Sequence, residues 1–241
     1  MMNRLNRTAR LAGLFYLIIA VFGPIGMLYI PSVLIAPDDA TTTAYNIMAS
    51  ETLFRIGFLS DSIVFLSEIV LVVLLYVLFK PVSETLSLAA AFSRLAMAVV
   101  QGINLLNHFY VLLLLSGASY LAVFEPGQLN ALVSLFLDAH EYGAYIWGAF
   151  FGLHLLFLGY LVYKSGYFPR MLCVLLGALL LFAALGYLTD SLGNMVFPGN
   201  GAISMLATVF LVPGTLGELS LALWLLIKGV KDRQQAKTEA V

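Results

Sequence analysis

The stretch from Leu86 to Ser116 constrains the fold more than any other part of the sequence. It is about thirty residues long and mostly Leu, Ala and Val, so it is long enough to cross a lipid bilayer with some tilt. Polar residues recur within it at steps of seven, three and four, which places them on one helical face: Arg94, Gln101, Asn104 and His108. Lipid does not tolerate such a stripe, so this face must contact other protein. The stretch therefore predicts a membrane-spanning helix in a bundle with a polar interior.

The composition agrees with a membrane protein and argues against other classes. Apolar residues make up 61% of the 241 residues and charged residues only 10%, whereas a soluble domain has roughly 25% charged residues. The net charge of −1 argues against binding to nucleic acid, because no basic surface is available to neutralise phosphates. The single cysteine, Cys173, cannot form an intramolecular disulfide.

Six apolar segments are predicted to cross the membrane and to use nearly the whole chain as one integral membrane domain. Their approximate bounds are 11–30, 54–79, 86–116, 140–163, 171–189 and 202–227. The first segment is too long for the apolar region of a typical signal peptide, so we expect it to be a retained span. Apolar residues at helical spacing between 129 and 138 predict a separate short helix in the outer interface. The predicted fold is an all-α bundle of six spans.

The distribution of Lys and Arg predicts the orientation of the chain. With six spans, every basic segment except one residue at the edge of span 2, Arg55, falls on one side, while the opposite connections carry Asp and Glu. Because Lys and Arg mark the cytoplasmic side, both termini are predicted to be cytoplasmic in a multi-pass protein of the inner or plasma membrane. A charged, disordered tail is predicted from Lys228. The basic residues are Arg4, Arg7, Arg10, Lys80, Lys164, Arg170, Lys228, Lys231, Arg233 and Lys237.

Proline and glycine predict two departures from regular helix. Gly23-Pro24 is expected to kink the outer end of span 1, and Pro213-Gly214 to interrupt span 6 just before Glu218. An interrupted helix beside a buried charge is typical of substrate sites in some transporters. Proline kinks also occur in spans that have no site.

Small residues repeat every four positions in span 4, at Ala144, Gly148 and Gly152. Such a face allows two helix backbones to approach closely. The sequence is equally compatible with packing inside the chain and with a homo-oligomer.

A rise of about 1.5 Å per residue places the buried polar residues in two layers. The cytoplasmic half is predicted to hold Arg94 with Glu68 or Glu218 as its counter-charge. An unpaired charge at mid-membrane costs about 2.5–3.5 kcal/mol, so these groups must be paired, hydrogen-bonded or hydrated. They either clamp the helices together or line a cavity that binds a ligand or passes ions. The candidate ligand-binding residues are Arg94, Glu68, Glu218, Gln101, Asn104 and His154.

The outer half is predicted to hold Asp61, His108 and His140. A carboxylate and imidazoles are ligands of transition metals, so Asp61 and His108 are a candidate metal site with His140, or alternatively Glu141, as the third ligand. The alternative is that the histidines lie at the interface or make ordinary hydrogen bonds. A haem held by two histidines would need them at one depth on two helices, which His108 and His140 match only loosely. No metal-binding motif such as His-x-x-His or Cys-x-x-Cys occurs, and the cofactor stays unknown.

Several segments resemble the family called domain of unknown function 4386. In chain order they are residues 12–17, 54–57, 152–153, 159–170, 217–219 and 223–229, which read AGLFYL, FRIG, GL, GYLVYKSGYFPR, GEL and LWLLIKG. The resemblance covers nearly the whole chain. It implies a small bacterial membrane protein of about six or seven spans, and it implies no activity, substrate or catalytic residue.

Three classes of function are compatible with these observations. The first is a protein of the lipid bilayer that binds or transports a small molecule, ion or lipid through its polar interior. The second is an intramembrane metal or haem redox enzyme that uses the outer histidines. The third is a structural or partner-binding subunit without a ligand. No catalytic residue is predicted, and no Gly-x-Ser-x-Gly motif is present.

Overall fold

The computed structural model describes residues 4–231. All regular secondary structure within this range is helical, which confirms the all-α prediction. Arg233, Lys237 and most of the predicted tail lie outside the described residues. Six helical segments are long and apolar enough to cross a membrane, as predicted: Arg4–Leu34, Glu51–Phe79, Glu84–Leu114, Pro126–Ser165, Arg170–Val196 and Gly201–Ile227.

Several of these spans are built from more than one helical element. The first combines α1 with a π-helical turn and α2, and the third combines α5 with α6. In chain order the elements are α1 (Arg4–Pro24), the π turn (Ile25–Tyr29), α2 (Ile30–Leu34), α3 (Ala40–Ala49), α4 (Glu51–Phe79), α5 (Glu84–Asn104), α6 (Leu106–Leu114), a 3₁₀ turn (Ser119–Val123), α7 (Pro126–Ser165), α8 (Arg170–Val196) and α9 (Gly201–Ile227).

The six spans form a closed ring. Each span packs against the ones that precede and follow it, and α1 also packs against α9. The α1–α9 contact is close, since a Cβ added to Gly13 would lie 2.5 Å from the backbone nitrogen of Leu226. Near the two ends of the described chain, the side chain of Asn6 accepts a hydrogen bond from the backbone N–H of Val230. We call this side of the bundle proximal and the opposite side distal.

The small-residue face of span 4 packs inside the chain. A Cβ at Gly152 would lie 2.7 Å from Cγ of Leu188, and one at Gly148 would lie 2.4 Å from the Ser191 hydroxyl. Both partners belong to α8. The close approach that this face allows is therefore used between α7 and α8.

The separate interfacial helix expected at residues 129–138 is not formed. These residues belong to α7, which continues for 40 residues from Pro126 to Ser165. A capping box of Glu125 and Gln128 starts this helix, and no proline interrupts it, so the polar residues that suggested a boundary are carried within one helix. At about 1.5 Å per residue α7 exceeds the roughly 30 Å of a bilayer core.

The short helix on the distal side is α3. Asp39 caps it by accepting a hydrogen bond of 2.8 Å from the backbone N–H of Thr42. Hydrogen bonds from the backbone and the hydroxyl of Thr42 lower the pKa of Asp39. The helix packs against α7.

The interruption predicted at Pro213-Gly214 is also wrong, because α9 is continuous from Gly201 to Ile227. A proline removes only its own N–H from the hydrogen-bond ladder, and membrane helices tolerate this loss. The irregular segments lie in two other spans. One is the π turn that follows Pro24, near the predicted kink, and the other is a break at Leu105 between α5 and α6. No proline marks the second break.

Candidate functional site

Arg94 lies inside the ring with only 1% of its surface exposed. Its Nε donates a hydrogen bond of 2.5 Å to Oε2 of Glu68. Its Nη1 lies 3.3 Å from the hydroxyl of Tyr16 and 2.9 Å from Nε2 of His154. We call Arg94, Glu68, Tyr16 and His154 the proximal cluster; it joins α5 to α4, α1 and α7.

The hydrogen bonds of His154 determine its tautomer. Arginine only donates, so Nε2 of His154 must accept from Arg94. Its Nδ1 lies 2.8 Å from the carbonyl oxygen of Ala90, which only accepts, so the proton is on Nδ1. His154 is thus a neutral imidazole that links α5 to α7 twice.

Aromatic rings complete the surroundings of Arg94. The guanidinium carbon lies 5.0 Å from the ring centroid of Tyr16 and 5.4 Å from that of Phe151. Phe151 packs in turn against Trp147 and Tyr187, with centroids 5.2 Å and 4.8 Å away. Phe151, Trp147 and Tyr187 form a layer of aromatic rings beside the arginine.

Glu68, and not Glu218, is the ion-pair partner of Arg94. Glu218 on α9 is near enough for an electrostatic interaction with Arg94 and Glu68. Within residues 4–231 its side chain makes neither an ion pair nor a hydrogen bond. The two carboxylates that the sequence could not rank therefore occupy different environments.

A second polar region lies on the distal side, around a small cavity. The cavity offers about 20 Å³ to the centres of water-sized molecules, more than the roughly 10–15 Å³ that one water needs. We call it the distal cavity. Its lining comes from four spans: Met27, Asp61, Gln101, Asn104, Leu105, His140, Ala144 and Trp147.

Three buried side-chain polar atoms in the described part of the chain lack a hydrogen-bond partner, and all three belong to residues of this lining. They are Oδ1 of Asp61, Oε1 of Gln101 and Nε1 of Trp147. Two are acceptors and one is a donor. Buried polar groups in proteins are normally satisfied, so their convergence on one cavity marks a place for a polar occupant.

The structure brings Asp61, His108 and His140 together. One carboxylate oxygen and one nitrogen from each imidazole lie within 4.8 Å of one another. Asp61 is 3% exposed, and it makes no hydrogen bond to any residue from 4 to 231. The three residues that were predicted to share the outer layer therefore lie close together, and two of them, Asp61 and His140, line the distal cavity.

Asn104 and His140 make a reciprocal contact at the break in span 3. The Asn104 side-chain amide donates a hydrogen bond of 2.8 Å to the backbone oxygen of His140. Nδ1 of His140 lies 3.3 Å from the backbone oxygen of Asn104. Since a carbonyl only accepts, Nδ1 carries the proton and Nε2 keeps its lone pair.

The two distal histidines do not suit an axial pair on haem. Their ring centroids are 4.0 Å apart and their planes differ by 24°. Axial ligands approach the iron from opposite faces of the porphyrin, whereas these rings are stacked with no space for a macrocycle between them.

Two glycines allow backbones to approach the distal polar groups. A Cβ on Gly26, in the π turn, would lie 2.2 Å from Oδ1 of Asp61. A Cβ on Gly143 would lie 2.1 Å from Oδ1 of Asn104. Side chains at these positions would displace the groups that line the cavity.

Sequence reasoning missed Tyr16 and Trp147. Tyr16 lies in the apolar span 1, and nothing in the sequence marks its contact with Arg94. Trp147 did have a signal, because it lies seven residues from both His140 and His154 and so shares their helical face.

Comparison with known proteins places the chain in a family. A family model described as a domain of unknown function (DUF4386) matches residues 11–229. The chain belongs to this family. It is also 32% identical to an "Uncharacterized protein" of Archaeoglobus fulgidus over 176 residues, which is 73% of this chain and 85% of the relative. No solved structure matches the chain. The family resemblance read from the sequence is confirmed.

Proposed function

We propose that this membrane protein binds an ion or a small polar solute in the distal cavity, as the loading site of a transport process. The observation that carries the proposal is the convergence of three unpaired buried polar atoms, from Asp61, Gln101 and Trp147, on one cavity. An occupant with both donor and acceptor groups, or a hydrated ion, satisfies all three.

The irregular helices support a transport role. Met27 belongs to the π turn and Leu105 is the break between α5 and α6, and both line the distal cavity. Discontinuous helices border substrate sites in several transporter folds, and π-helical turns are frequent at functional sites. The interruption that the sequence suggested beside Glu218 is replaced by two interruptions beside Asp61 and Gln101.

The proximal cluster has a different role in this proposal. Within the described residues, none of its buried side-chain polar atoms lacks a partner, and the cavity beside His154 offers only about 10 Å³ to water-sized molecules. It clamps four spans and, with the aromatic layer, closes the proximal end of the site. By the positive-inside rule, the proximal end lies on the cytoplasmic side of the cell membrane. The distal cavity then lies towards the outer side.

Access of water to Gln101 tests the proposal. In a Cys173→Ala background, we expect Gln101→Cys in the membrane-embedded protein to react with a charged, water-soluble thiol reagent. Met97→Cys is the matched control, because Met97 lies one turn away on α5 and is fully buried, so it should stay unreacted. Asp138→Cys, at an exposed position on the distal part of α7, reports that the reagent reaches the distal side. An unreactive Gln101→Cys beside a reactive Asp138→Cys contradicts the proposal.

A further inference from the structure

We infer that Asp61, His108 and His140 form a binding site for a divalent transition-metal ion of the zinc class. The inference rests on the proposed function, since it identifies the occupant of the distal region as a metal ion with its bound water.

The spacing of the donor atoms is close to that of a metal site. Zinc binds imidazole nitrogen and carboxylate oxygen at about 2.0–2.2 Å, which separates tetrahedral ligands by about 3.3 Å. The three donors here lie within 4.8 Å of one another. The rings of His108 and His140 are stacked, so both side chains must rotate until their nitrogen lone pairs, which lie in the ring planes, point to one ion.

The contact with Asn104 prepares His140 to act as a ligand. Nδ1 of His140 faces the carbonyl oxygen of Asn104 at 3.3 Å, which leaves the lone pair of Nε2 available. Metal-binding histidines almost always donate their other N–H to a carbonyl or a carboxylate, which orients the ring. The amide of Asn104 also binds the backbone of His140, so the same residue anchors the helix that carries the ligand.

The buried carboxyl group of Asp61 is available to bind a cation. It makes no hydrogen bond to the described residues, and Arg94, the one arginine buried within residues 4–231, is paired with Glu68. An ionised carboxylate in the membrane interior requires a partner charge or hydrogen bonds. A metal ion bound by Asp61 and the two imidazoles supplies the opposite charge.

The donor set selects the class of ion. Two nitrogens and one oxygen suit zinc and other first-row divalent ions, whereas magnesium and calcium prefer oxygen ligands alone. Three protein ligands leave coordination open to water or substrate. A bound water would be a donor near Oε1 of Gln101 in the same region.

The test is zinc binding by the full-length protein, purified without a polyhistidine tag and stripped of metal with a chelator. Equilibrium dialysis with elemental analysis should give about one zinc per chain. We expect His108→Ala and Asp61→Asn to weaken binding at least tenfold. His154→Gln is the matched control, since His154 is the remaining histidine and belongs to the proximal cluster. Asp138→Asn controls for removal of an exposed carboxylate.

A second measurement guards against misfolded variants. Zinc should raise the unfolding temperature of the unmodified protein and of Asp138→Asn, but not of His108→Ala. The inference is overturned if the folded protein binds no zinc, or if His108→Ala and Asp61→Asn bind it as tightly as the unmodified protein. If Gln101→Cys still reacts with the thiol reagent in that case, the polar cavity stands and only the metal assignment fails. If Gln101→Cys is also inert, both proposals fail.

Discussion

The proximal cluster and the distal cavity are built from the same kinds of residue but differ in how completely those residues are paired. Arg94 is bound to Glu68, Tyr16 and His154. On the distal side, polar atoms of Asp61, Gln101 and Trp147 are buried without partners among the described residues.

Pairing is what separates a clamp from a site. A polar group whose hydrogen bonds are all made by protein holds helices together and gains nothing from a ligand. A buried polar group without a partner destabilises the protein, so unpaired groups are retained where a bound occupant supplies the missing hydrogen bonds. The buried polar side-chain atoms of the proximal cluster are paired, whereas three buried side-chain atoms around the distal cavity have no partner among the described residues.

Removal of Arg94 should produce the largest effect. Arg94→Met leaves the Glu68 carboxylate buried and unpaired, which we expect to lower the free energy of unfolding by about 3–5 kcal/mol. Adding Glu68→Leu should restore much of this loss, measured as reversible unfolding in detergent. The matched distal change, Asp61→Asn, should cost little, because Asp61 has no protein partner to lose. A double variant as unstable as Arg94→Met would show that the pair does more than clamp.

Removal of the second partner of Arg94 should have a smaller effect. His154→Leu deletes an acceptor for Nη1 and a donor to the Ala90 carbonyl. We expect a loss of about 1–3 kcal/mol in the same unfolding measurement, the usual cost of leaving buried groups unsatisfied. Zinc affinity should be unchanged, since the residue lies outside the distal group. If folded His154→Leu lost zinc binding, the proximal cluster would contribute to the metal site and would not be only a clamp.

The π turn should influence the distal region and leave the clamp intact. A Cβ at Gly26 would lie 2.2 Å from the Asp61 carboxylate, so Gly26→Ala must displace that group. We expect a roughly tenfold loss of zinc affinity, comparable to the change of a residue that supports a ligand. Gly23→Ala, whose Cβ meets no atom within 4 Å, is the control in the same span. If Gly26→Ala and Gly23→Ala bound zinc with equal affinity, Asp61 would not be a zinc ligand.

The smallest effect is expected from Tyr16→Phe. The change removes one hydrogen bond of 3.3 Å to Arg94 and keeps the ring beside the guanidinium. The loss should be about 0.5–1.5 kcal/mol in unfolding free energy. Tyr163→Phe, at an exposed position on α7, should cause no measurable change. A Tyr16→Phe protein as stable as Tyr163→Phe would make the hydroxyl dispensable to the clamp.

Much of the fold was predictable because hydropathy and helical periodicity are local properties. Six spans follow from apolar length, and the polar stripe of span 3 lies inside, with Arg94, Gln101 and Asn104 all buried. The helix boundaries were less predictable. Polar residues near 138–141 do not end α7, and Pro213 does not break α9. A helix can continue through polar residues, and a membrane helix can contain a proline.

The site residues could be grouped by their depth in the membrane, because the number of residues from the end of a span gives the depth. Counting along each span placed Asp61, His108 and His140 in the outer half and Arg94 in the cytoplasmic half. The choice between Glu68 and Glu218 was beyond this reasoning, because it depends on which helix faces Arg94 across the ring. The break at Leu105 also escaped prediction, since no proline or cap residue marks it.

Span length and periodicity can be read without knowledge of neighbouring helices, so the sequence was sufficient to predict six apolar helices with polar residues at set depths. Which of those polar groups are satisfied depends on the packing of the helices. Arg94 meets Glu68, Tyr16 and His154 because α4, α1 and α7 converge on it. Asp61 meets two imidazoles because a break in span 3 and a long α7 bring His108 and His140 together. Such pairing is a property of directions and distances between helices, which periodicity along one helix does not encode.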